Sequence, residues 1–253
     1  MNVAGETAIV TGGASGLGRA CAEALAANGA RVGVIDIDEA AARRVARAIG
    51  GFAAVCDVAD AGGGQSAIDA IVAELGAPRV LVHCAGIGPP KRVLGRDGPM
   101  PLADFERVIR VNLIGTFNMT RLAGAHMAKL APSASGGRGV IVATASVAAY
   151  EGQIGQAAYS ASKGGIVGMV LPIAREFAQH AIRVNAVAPG IFATPLLASL
   201  PQEAQDSLGR SVPHPARLGD PAEFAALVLH IVANDYLNGE TIRLDGALRM
   251  APK

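Results

Sequence analysis

Tyr159 and Lys163 lie four residues apart in the segment AYSASK, and their side chains suit proton transfer. Residues at this spacing share one face of a helix. Hydride transfer from a secondary alcohol to a nicotinamide needs a base, and a free tyrosine, with a pKa of about 10, is mostly protonated at neutral pH. We expect the Lys163 ammonium and a positively charged nicotinamide ring to lower the pKa of Tyr159, which then acts as base in oxidation and as acid in reduction. The alternative is an ordinary surface pair on a helix.

Ser146 follows the apolar run Gly139–Ala143 and offers a hydroxyl group for the same reaction. It can donate a hydrogen bond to a substrate oxygen and hold that oxygen near Tyr159. The alternative is a serine that caps the end of a strand. Which interpretation holds depends on the elements that position Ser146.

A glycine-rich turn with the sequence TGGASGLG begins at Thr11, directly after the first apolar run. Gly12, Gly16 and Gly18 allow a sharp turn and a close approach to a pyrophosphate, whose charge meets the N-terminus of the next helix. Glycines also serve ordinary tight turns, so this pattern alone is a weak signal. It predicts a dinucleotide site only together with other residues.

Asp36 ends the second apolar run and supplies such a residue. A carboxylate at this place accepts hydrogen bonds from the adenine ribose hydroxyls and repels the extra phosphate of NADP. Neither Ser15 nor Ile37 offers an arginine that would offset this repulsion. The sequence therefore favours NAD as cofactor, although a carboxylate that caps a helix or is solvated at a strand end is the alternative for Asp36.

The elements that must position these residues alternate along the chain. Seven short apolar runs predict strands that are buried on both faces. They are Thr7–Val10, Arg31–Asp36, Gly51–Cys56, Val80–His83, Gly139–Ala143, Arg183–Ala188 and Thr241–Leu244. Six helical patterns lie between them: Leu17–Asn28, Glu39–Ile49, Gln65–Leu75, Leu102–Lys129, Gln156–His180 and Pro221–Val232.

This alternation predicts an α/β protein, namely a doubly wound Rossmann fold with a seven-stranded parallel sheet flanked by helices on both faces. One domain over residues 1–253 is expected. Three irregular segments, Gly88–Pro101, Ala131–Arg138 and Ile191–Leu218, are expected to shape the substrate side. Pro172 is expected to bend its helix only beyond the catalytic turns.

Charge and apolar patterning speak against two classes of partner. The formal net charge is +1, from 22 basic and 21 acidic residues, which gives no electrostatic footprint for nucleic acid or an anionic membrane. Apolar runs are shorter than the roughly 20 residues that cross a bilayer. An apolar strand that begins at Thr7 leaves no room for a signal peptide, which predicts a cytoplasmic protein.

Cysteines and histidines indicate neither disulfides nor a metal site. Three cysteines, Cys21, Cys56 and Cys84, lie far apart in apolar segments, which suits reduced core thiols. The histidines do not show the spacing of metal ligands. They are His83, His126, His180, His214 and His230.

Taken together, these motifs make the chain resemble the short-chain dehydrogenase/reductase family over nearly its whole length. The motifs in the family's order and spacing are Gly12-x3-Gly16-x-Gly18, Asp57-Val58, Cys84-Ala85-Gly86, Asn112, Ser146, Tyr159-x3-Lys163 and Pro189-Gly190. Cys84 departs from the family, which usually has asparagine there. A backbone contact survives that change.

The resemblance implies roles that the residues alone do not give. Asp57 and Val58 hold the adenine, the Cys84-Ala85-Gly86 turn lies along the ribose, and Lys163 also binds the nicotinamide ribose. Asn112 interrupts its helix and anchors a water in a proton relay; the alternative is a buried amide that satisfies backbone groups. The remaining implied contacts are Ser15 and Leu17 at the pyrophosphate, Phe192 and Thr194 at the nicotinamide, and Gln153 at the substrate.

Within the family, the chain is similar to members that act on CoA thioesters. The resemblance implies NAD-dependent interconversion of (S)-3-hydroxyacyl-CoA and 3-oxoacyl-CoA with short or branched acyl chains, in a homotetramer. The alternatives are a dehydrogenase of hydroxysteroids or other secondary alcohols, and an NADPH-linked 3-oxoacyl reductase, which Asp36 disfavours. An alternative of another class is a dinucleotide-binding scaffold or RNA-processing subunit.

Overall fold

The computed structural model of the protein describes residues 1–198 and 201–252. Seven parallel strands form one sheet in the order β3-β2-β1-β4-β7-β8-β9, and β5 and β6 form a separate antiparallel pair. The strands are β1 (Thr7–Thr11), β2 (Arg31–Asp36), β3 (Phe52–Val55), β4 (Pro78–His83), β5 (Leu94–Gly95), β6 (Gly98–Pro99), β7 (Gly139–Thr144), β8 (Ile182–Pro189) and β9 (Thr241–Leu244). The predicted seven-stranded doubly wound sheet is confirmed.

Helices connect the strands and cover both faces of the sheet. They are α1 (Gly16–Ala27), α2 (Glu39–Ala48), α3 (Ala61–Leu75), α4 (Leu102–Ile109), α5 (Gly115–Met127), α6 (Ala157–Ala178), α7 (Pro195–Ala198), α8 (Gln202–Arg210) and α9 (Pro221–Ala233). A π-helical turn, Arg110–Ile114, separates α4 from α5, and a 3₁₀ turn, Val147–Ala149, follows β7. None of the helices in the described part of the chain is long and apolar enough to cross a membrane.

Two apolar layers hold the helices against the sheet because successive side chains of a strand point to opposite faces. In β1, Val10 packs in the layer formed with α1, α2 and α9, and its neighbour Ile9 packs in the layer formed with α3 and α5. Both residues are fully buried. Burial on both faces explains why the strands read as continuous apolar runs.

Side-chain caps fix where several helices begin. Asp60 accepts hydrogen bonds from the backbone of Gly62 and Gly63 at the start of α3. Asp220 and Glu223 form a capping box at the start of α9, where Pro221 occupies the first turn. Such caps satisfy backbone N–H groups that have no partner within the helix.

The long helix predicted over Leu102–Lys129 is wrong in one respect, since the π-helical turn interrupts it around Asn112. The expected irregular segment Ile191–Leu218 contains α7 and α8, and residues 199 and 200 of it lie outside the described residues. Gly88–Pro101 contains the short β5–β6 pair, whereas α6 continues through Pro172 to Ala178.

Candidate active site

The candidate residues gather at the carboxyl ends of neighbouring strands. β1 and β4 lie side by side in the sheet order and are followed by connections to α1 and to the insertion at 88–101. In open α/β sheets the ligand crevice lies at such a switch point. Ser146 follows β7 and therefore reaches the same edge of the sheet.

Tyr159, which is half-buried, forms one cluster with the buried residues Lys163 and Ser146. The first two lie in α6, and the Lys163 Nζ is 5.7 Å from the centroid of the Tyr159 ring. The Ser146 hydroxyl accepts a hydrogen bond from the backbone N–H of Ala148 at 3.1 Å, and its interaction with Tyr159 lowers the pKa of that tyrosine. Ser146 caps the 3₁₀ turn, so its alternative role as a cap is present, and its hydrogen bond to a substrate oxygen stays a prediction.

Burial sets the ionisation of this cluster. It raises the pKa of Tyr159, and the hydrogen bond from Ser146 lowers it in part. Burial also lowers the pKa of Lys163 from 10.5 to about 8. This direction for Tyr159 is opposite to the one expected from Lys163, because the protein interior opposes the tyrosinate charge.

Lys163 is held by a backbone group that sequence reasoning missed. Its Nζ donates to the carbonyl oxygen of Thr144, the last residue of β7, at 2.6 Å. Because Lys163 is 5% exposed, this bond fixes the ammonium inside the site. A buried ammonium needs such a partner.

Asn112 is fully buried and uses its side-chain amide for structure. Its Oδ1 accepts from the backbone N–H of Ile87 at 2.8 Å, and its Nδ2 donates to the carbonyl of Ile87 at 2.8 Å and to Ser162 Oγ at 3.0 Å. The interpretation as a buried amide that satisfies backbone groups therefore describes these contacts. Any role in a proton relay would fall to its backbone.

Ser162 is a second residue that the sequence did not single out. It is fully buried, and its hydroxyl donates to the carbonyl oxygen of Tyr159 at 2.7 Å while accepting from Asn112. The loop after β4, the π-helical turn and α6 are thus joined through two small side chains. In the sequence, only the position of Ser162 between Tyr159 and Lys163 could have indicated that it belongs to the site.

Two glycines after β4 let the backbone pass close to the cluster. A Cβ at Gly88 would lie 3.1 Å from the Tyr159 ring, and one at Gly86 would lie 3.2 Å from Asn112 Oδ1. A side chain at position 88 would therefore crowd Tyr159, the candidate acid/base, and one at position 86 would crowd Asn112.

The glycine-rich turn connects β1 to α1 and is made of closely packed backbone. A Cβ at Gly18 would lie 2.1 Å from the carbonyl oxygen of Gly12, and Gly12 has a φ of +63°. Ser15 is the N-cap of α1, yet within the described residues no side chain caps this helix. The N-terminal amides of α1 and their partial positive charge suit a phosphate group.

Asp36 holds the turn from the neighbouring strand. Its Oδ2 accepts from the backbone N–H of Ala14 at 3.0 Å, and its Oδ1 accepts from that of Asp38 at 3.1 Å. The carboxylate therefore lies beside the turn at the end of β2, where the sequence predicted it. Leu17, also predicted at the pyrophosphate, is half-buried and packs against the core.

The two turns after β3 and β4 lie on either side of this region. Asp57 is exposed and its Oδ1 accepts from the backbone of Ala59 at 2.9 Å, whereas Val58 is buried. Cys84 donates its backbone N–H to the carbonyl of Thr11 at 3.0 Å, and the next residue, Ala85, donates to Thr11 Oγ1 at 3.4 Å. These contacts use the backbone, so the cysteine at position 84 does not disturb the turn.

The thiol of Cys84 lies among polar groups. It accepts a hydrogen bond from Thr144 Oγ1 at 3.6 Å and forms another with the buried Cys21. Hydrogen bonds from Cys21 and Thr144 lower the pKa of Cys84, while burial opposes them. Cys21, Cys56 and Cys84 are free thiols in this structure.

Thr194 and Phe192 lie in the segment between β8 and α7. The Cγ2 methyl of Thr194 lies 3.5 Å from the position of a Cβ at Gly16, and the Thr194 Cβ lies 3.6 Å from it, which places this segment over the glycine-rich turn. The Phe192 ring is buried and packs edge-to-face on Phe224, with centroids 6.3 Å apart. Only the backbone of Phe192 is therefore available to a ligand.

Gln153 is half-buried, and its Nε2 donates to the carbonyl of Ala251 at 3.0 Å. Its side chain is thus bonded to the C-terminal tail rather than to Ser146 or Tyr159. No group of three or more histidine, cysteine or carboxylate side chains in residues 1–198 and 201–252 could hold a metal ion.

Known proteins match this chain closely. The family model described as "short chain dehydrogenase" matches residues 6–205. A curated relative, 3-hydroxyacyl-CoA dehydrogenase type-2 of Bos taurus, is 50% identical over 255 residues, which cover 99% of this chain and 98% of the relative.

Two solved structures extend the comparison to the fold. The crystal structure of 3-hydroxyacyl-CoA dehydrogenase type-2 from Mycobacterium avium is 40% identical, covers 98% of each chain and superposes with a TM-score of 0.93. A 7α-hydroxysteroid dehydrogenase complexed with NADH and 7-oxo glycochenodeoxycholic acid is 31% identical, covers 98% of this chain and 96% of its own, and has a TM-score of 0.86.

Proposed function

The chain belongs to the short-chain dehydrogenase family, which confirms the resemblance of its motifs, and we propose that it interconverts (S)-3-hydroxyacyl-CoA and 3-oxoacyl-CoA with NAD. The observation that carries this proposal is the cluster of Tyr159 with the buried residues Ser146 and Lys163. The substrate class comes from the relative of Bos taurus, since 50% identity extends over 99% of the chain.

The residues present fit a nicotinamide dinucleotide. Closely packed glycines and the uncapped N-terminus of α1 leave backbone N–H groups for the pyrophosphate. Asp36 suits the adenine ribose, with Asp57 and Val58 for the adenine and the Cys84-Ala85-Gly86 turn for the ribose. Lys163 and Thr194 suit the nicotinamide half. When bound, the cofactor supplies the hydride acceptor or donor.

NAD rather than NADP follows from Asp36. Its two oxygens already accept from Ala14 and Asp38, so the carboxylate is fixed in place rather than free to turn away. A second negative group at the ribose would meet this fixed charge. Ser15 and Ile37 supply no cation next to it.

Tyr159 acts on the proton of the substrate oxygen. During alcohol oxidation its Oη takes the hydroxyl proton, and during ketone reduction it returns a proton to the same oxygen. The Ser146 hydroxyl has a single proton, which it donates in a hydrogen bond to the substrate oxygen, so that this oxygen is held near Tyr159. Because burial raises the pKa of Tyr159, the base form depends on nearby positive charge, of which Lys163 is the resident source.

The proposal is tested by Tyr159→Phe, with Tyr236→Phe as the matched control because Tyr236 is fully exposed. Removing the acid/base should lower kcat/KM for acetoacetyl-CoA with NADH by about 1000-fold. The control should keep wild-type activity. Full activity of Tyr159→Phe would remove the basis of the proposed mechanism.

A second candidate is a dehydrogenase of hydroxysteroids. It is favoured by the 31% identity to the structure of a 7α-hydroxysteroid dehydrogenase. Turnover of acetoacetyl-CoA and of a hydroxysteroid, measured side by side, separates the two. A scaffold or RNA-processing role would instead survive Tyr159→Phe without loss.

We further propose a cytoplasmic homotetramer in which residues 1–253 form one domain. Support for close subunit packing comes from Gly164 and Gly168 in α6, because a Cβ at either position would meet nothing within 4 Å. The molar mass in solution checks the assembly. A single unfolding transition checks the domain.

A further inference from the structure

Arg243, at the end of β9, makes contacts that the mechanism above does not use. Its Nη1 and Nη2 donate to the two carboxylate oxygens of Glu151 at 2.8 and 3.0 Å, and its Nε donates to Asp245 at 2.7 Å. The side chain of Asp245 is 8% exposed, and those of Arg243 and Glu151 are 24% and 21% exposed. The Arg243 guanidinium also lies 5.3 Å from the centroid of the Tyr150 ring.

The C-terminal tail, residues 245–252, is fastened to the same carboxylate. Met250 donates its backbone N–H to Glu151 at 3.3 Å, and Arg249 Nε lies 3.4 Å from Glu151. Further along, Ile154 donates its N–H to the carbonyl of Pro252 at 3.0 Å. Glu151 thus joins β9 and the tail to residues 150–154.

Glu151 ends the short segment that carries Ser146. Its N–H donates to the carbonyl of Val147 at 2.9 Å, and the N–H of Ala149 donates to the carbonyl of Ser146 at 3.0 Å. On the other side, a Cβ at Gly152 would lie 2.2 Å from Ser160 Oγ, next to Tyr159 in α6. Displacement of Glu151 would therefore be transmitted both to the segment that carries Ser146 and to the start of α6, which carries Tyr159.

We propose that Arg243 is a positioning residue, which acts through Glu151 to hold the segment that carries Ser146 against α6, which carries Tyr159. This inference rests on the proposed function. An ion cluster of low exposure gives little net stability compared with apolar packing, but its planar bidentate geometry fixes the orientation of both partners.

Stability is a poor readout for such a role, and the pH profile is a better one. Ser146 lowers the pKa of Tyr159, whose charged neighbour in α6 is Lys163. Loosening Ser146 should raise the apparent pKa seen in kcat/KM for oxidation of 3-hydroxybutyryl-CoA. A residue that only stabilises the fold would leave this pKa unchanged.

The variants are Arg243→Lys, which removes the bidentate geometry, and Glu151→Gln, which keeps the shape and removes the charge. The control is Arg43→Lys, since Arg43 forms an exposed pair with Glu39 on α2 at 2.8 Å. Both variants should lower kcat for oxidation by about 10-fold. Their NADH dissociation constants should change by less than about twofold, and the control should match the wild type.

The inference would be overturned if both variants kept the wild-type kcat and the wild-type apparent pKa in kcat/KM. It would also be overturned if NADH binding weakened by the same factor as kcat. If the wild type oxidises no 3-hydroxyacyl-CoA, the proposed function is wrong, but the positioning role can still be tested. Hydrogen exchange then measures whether Glu151 holds the segment that carries Ser146. Glu151→Gln must then speed exchange at the Ala148 N–H, which is bonded to Ser146 Oγ, but not at the Ala14 N–H, which is bonded to Asp36. Equal exchange at Ala148 in variant and wild type would overturn the inference.

Discussion

The glycine-rich turn after β1 and the polar cluster around Tyr159 are built in different ways. In the turn, the backbone is closely packed, so that a Cβ at Gly18 would lie 2.1 Å from the Gly12 carbonyl. In the cluster, side chains from separate elements meet, as when Asn112 bonds to Ile87 and Ser162. A turn made of backbone depends on the absence of side chains, and a cluster made of side chains depends on their hydrogen bonds.

This difference predicts separable failures. Damage to the turn should weaken cofactor binding, and damage to the cluster should slow the reaction while the cofactor still binds. Gly18→Ala and Asn112→Ala test that separation, and substitutions of Asp36 and His83 test the cofactor choice and the pH dependence of stability.

The largest effect is expected for Gly18→Ala in the turn. The added Cβ overlaps the Gly12 carbonyl, which costs about 3 kcal/mol and weakens NADH binding by roughly 100-fold. The measurement is NADH affinity by fluorescence titration. Gly62→Ala in α3 is the control, since a Cβ there meets Asp60 at 3.9 Å and replaces a poor helix former. Equal NADH affinity in both variants would contradict the close packing.

Asn112→Ala should affect the cluster instead. It leaves the half-buried backbone N–H and carbonyl groups of Ile87 without their Asn112 partners, which lowers the free energy of unfolding by about 2 kcal/mol. Turnover should fall at saturating NADH, with NADH affinity nearly unchanged. Chemical denaturation and steady-state kinetics measure the two quantities. Asn28→Ala, an exposed asparagine in the loop after α1, should change stability by less than about 1 kcal/mol.

Asp36→Ala should change cofactor choice rather than overall activity. Loss of the charge and of its hydrogen bonds should raise the ratio of kcat/KM for NADPH to that for NADH by about 30-fold, equivalent to about 2 kcal/mol. Asp38→Ala is the control, because Asp38 is exposed and caps α2 through Ala41 at 3.0 Å. An identical ratio in both variants would mean that Asp36 does not select the cofactor.

The smallest effect at neutral pH, about 1 kcal/mol in stability, is expected for His83→Gln. His83 is buried at the end of β4, where its Nε2 lies 3.0 Å from Thr120 Oγ1, and burial lowers its pKa from 6.5 to about 3. The unfolded chain therefore binds a proton between these values while the folded chain does not, so stability falls as the pH falls from about 6.5 to about 3.

The variant should lack this contribution. Its unfolding free energy should fall less steeply on acidification, by up to about 1.4 kcal/mol per pH unit. Denaturation at several pH values measures the two slopes. Parallel slopes would show that His83 does not titrate on unfolding.

The sequence predicted the sheet well because most strands are buried on both faces and read as continuous apolar runs. It missed the first turn of α3, where Gly62, Gly63 and Gly64 are poor helix formers and the Asp60 cap compensates. Apolar spacing alone predicted one continuous helix over Leu102–Lys129, and the interruption at Asn112 was implied only by the family resemblance, since apolar spacing does not reveal a π-helical turn.

The site was predicted only as far as its local patterns allow. Tyr159 and Lys163 are one helical turn apart, so their association follows from spacing. Arg243 and Glu151 are separated by 92 residues, and no local pattern links them. The direction of the Phe192 ring depends on Phe224 and on tertiary packing, which the segment around Phe192 does not specify.

The central claim is tested most directly by kcat/KM measured for acetoacetyl-CoA and a 7-oxosteroid, each with NADH and with NADPH. The account predicts the highest value for acetoacetyl-CoA with NADH and a clear preference for NADH over NADPH. Absence of turnover with acetoacetyl-CoA, or a preference for NADPH, would contradict it.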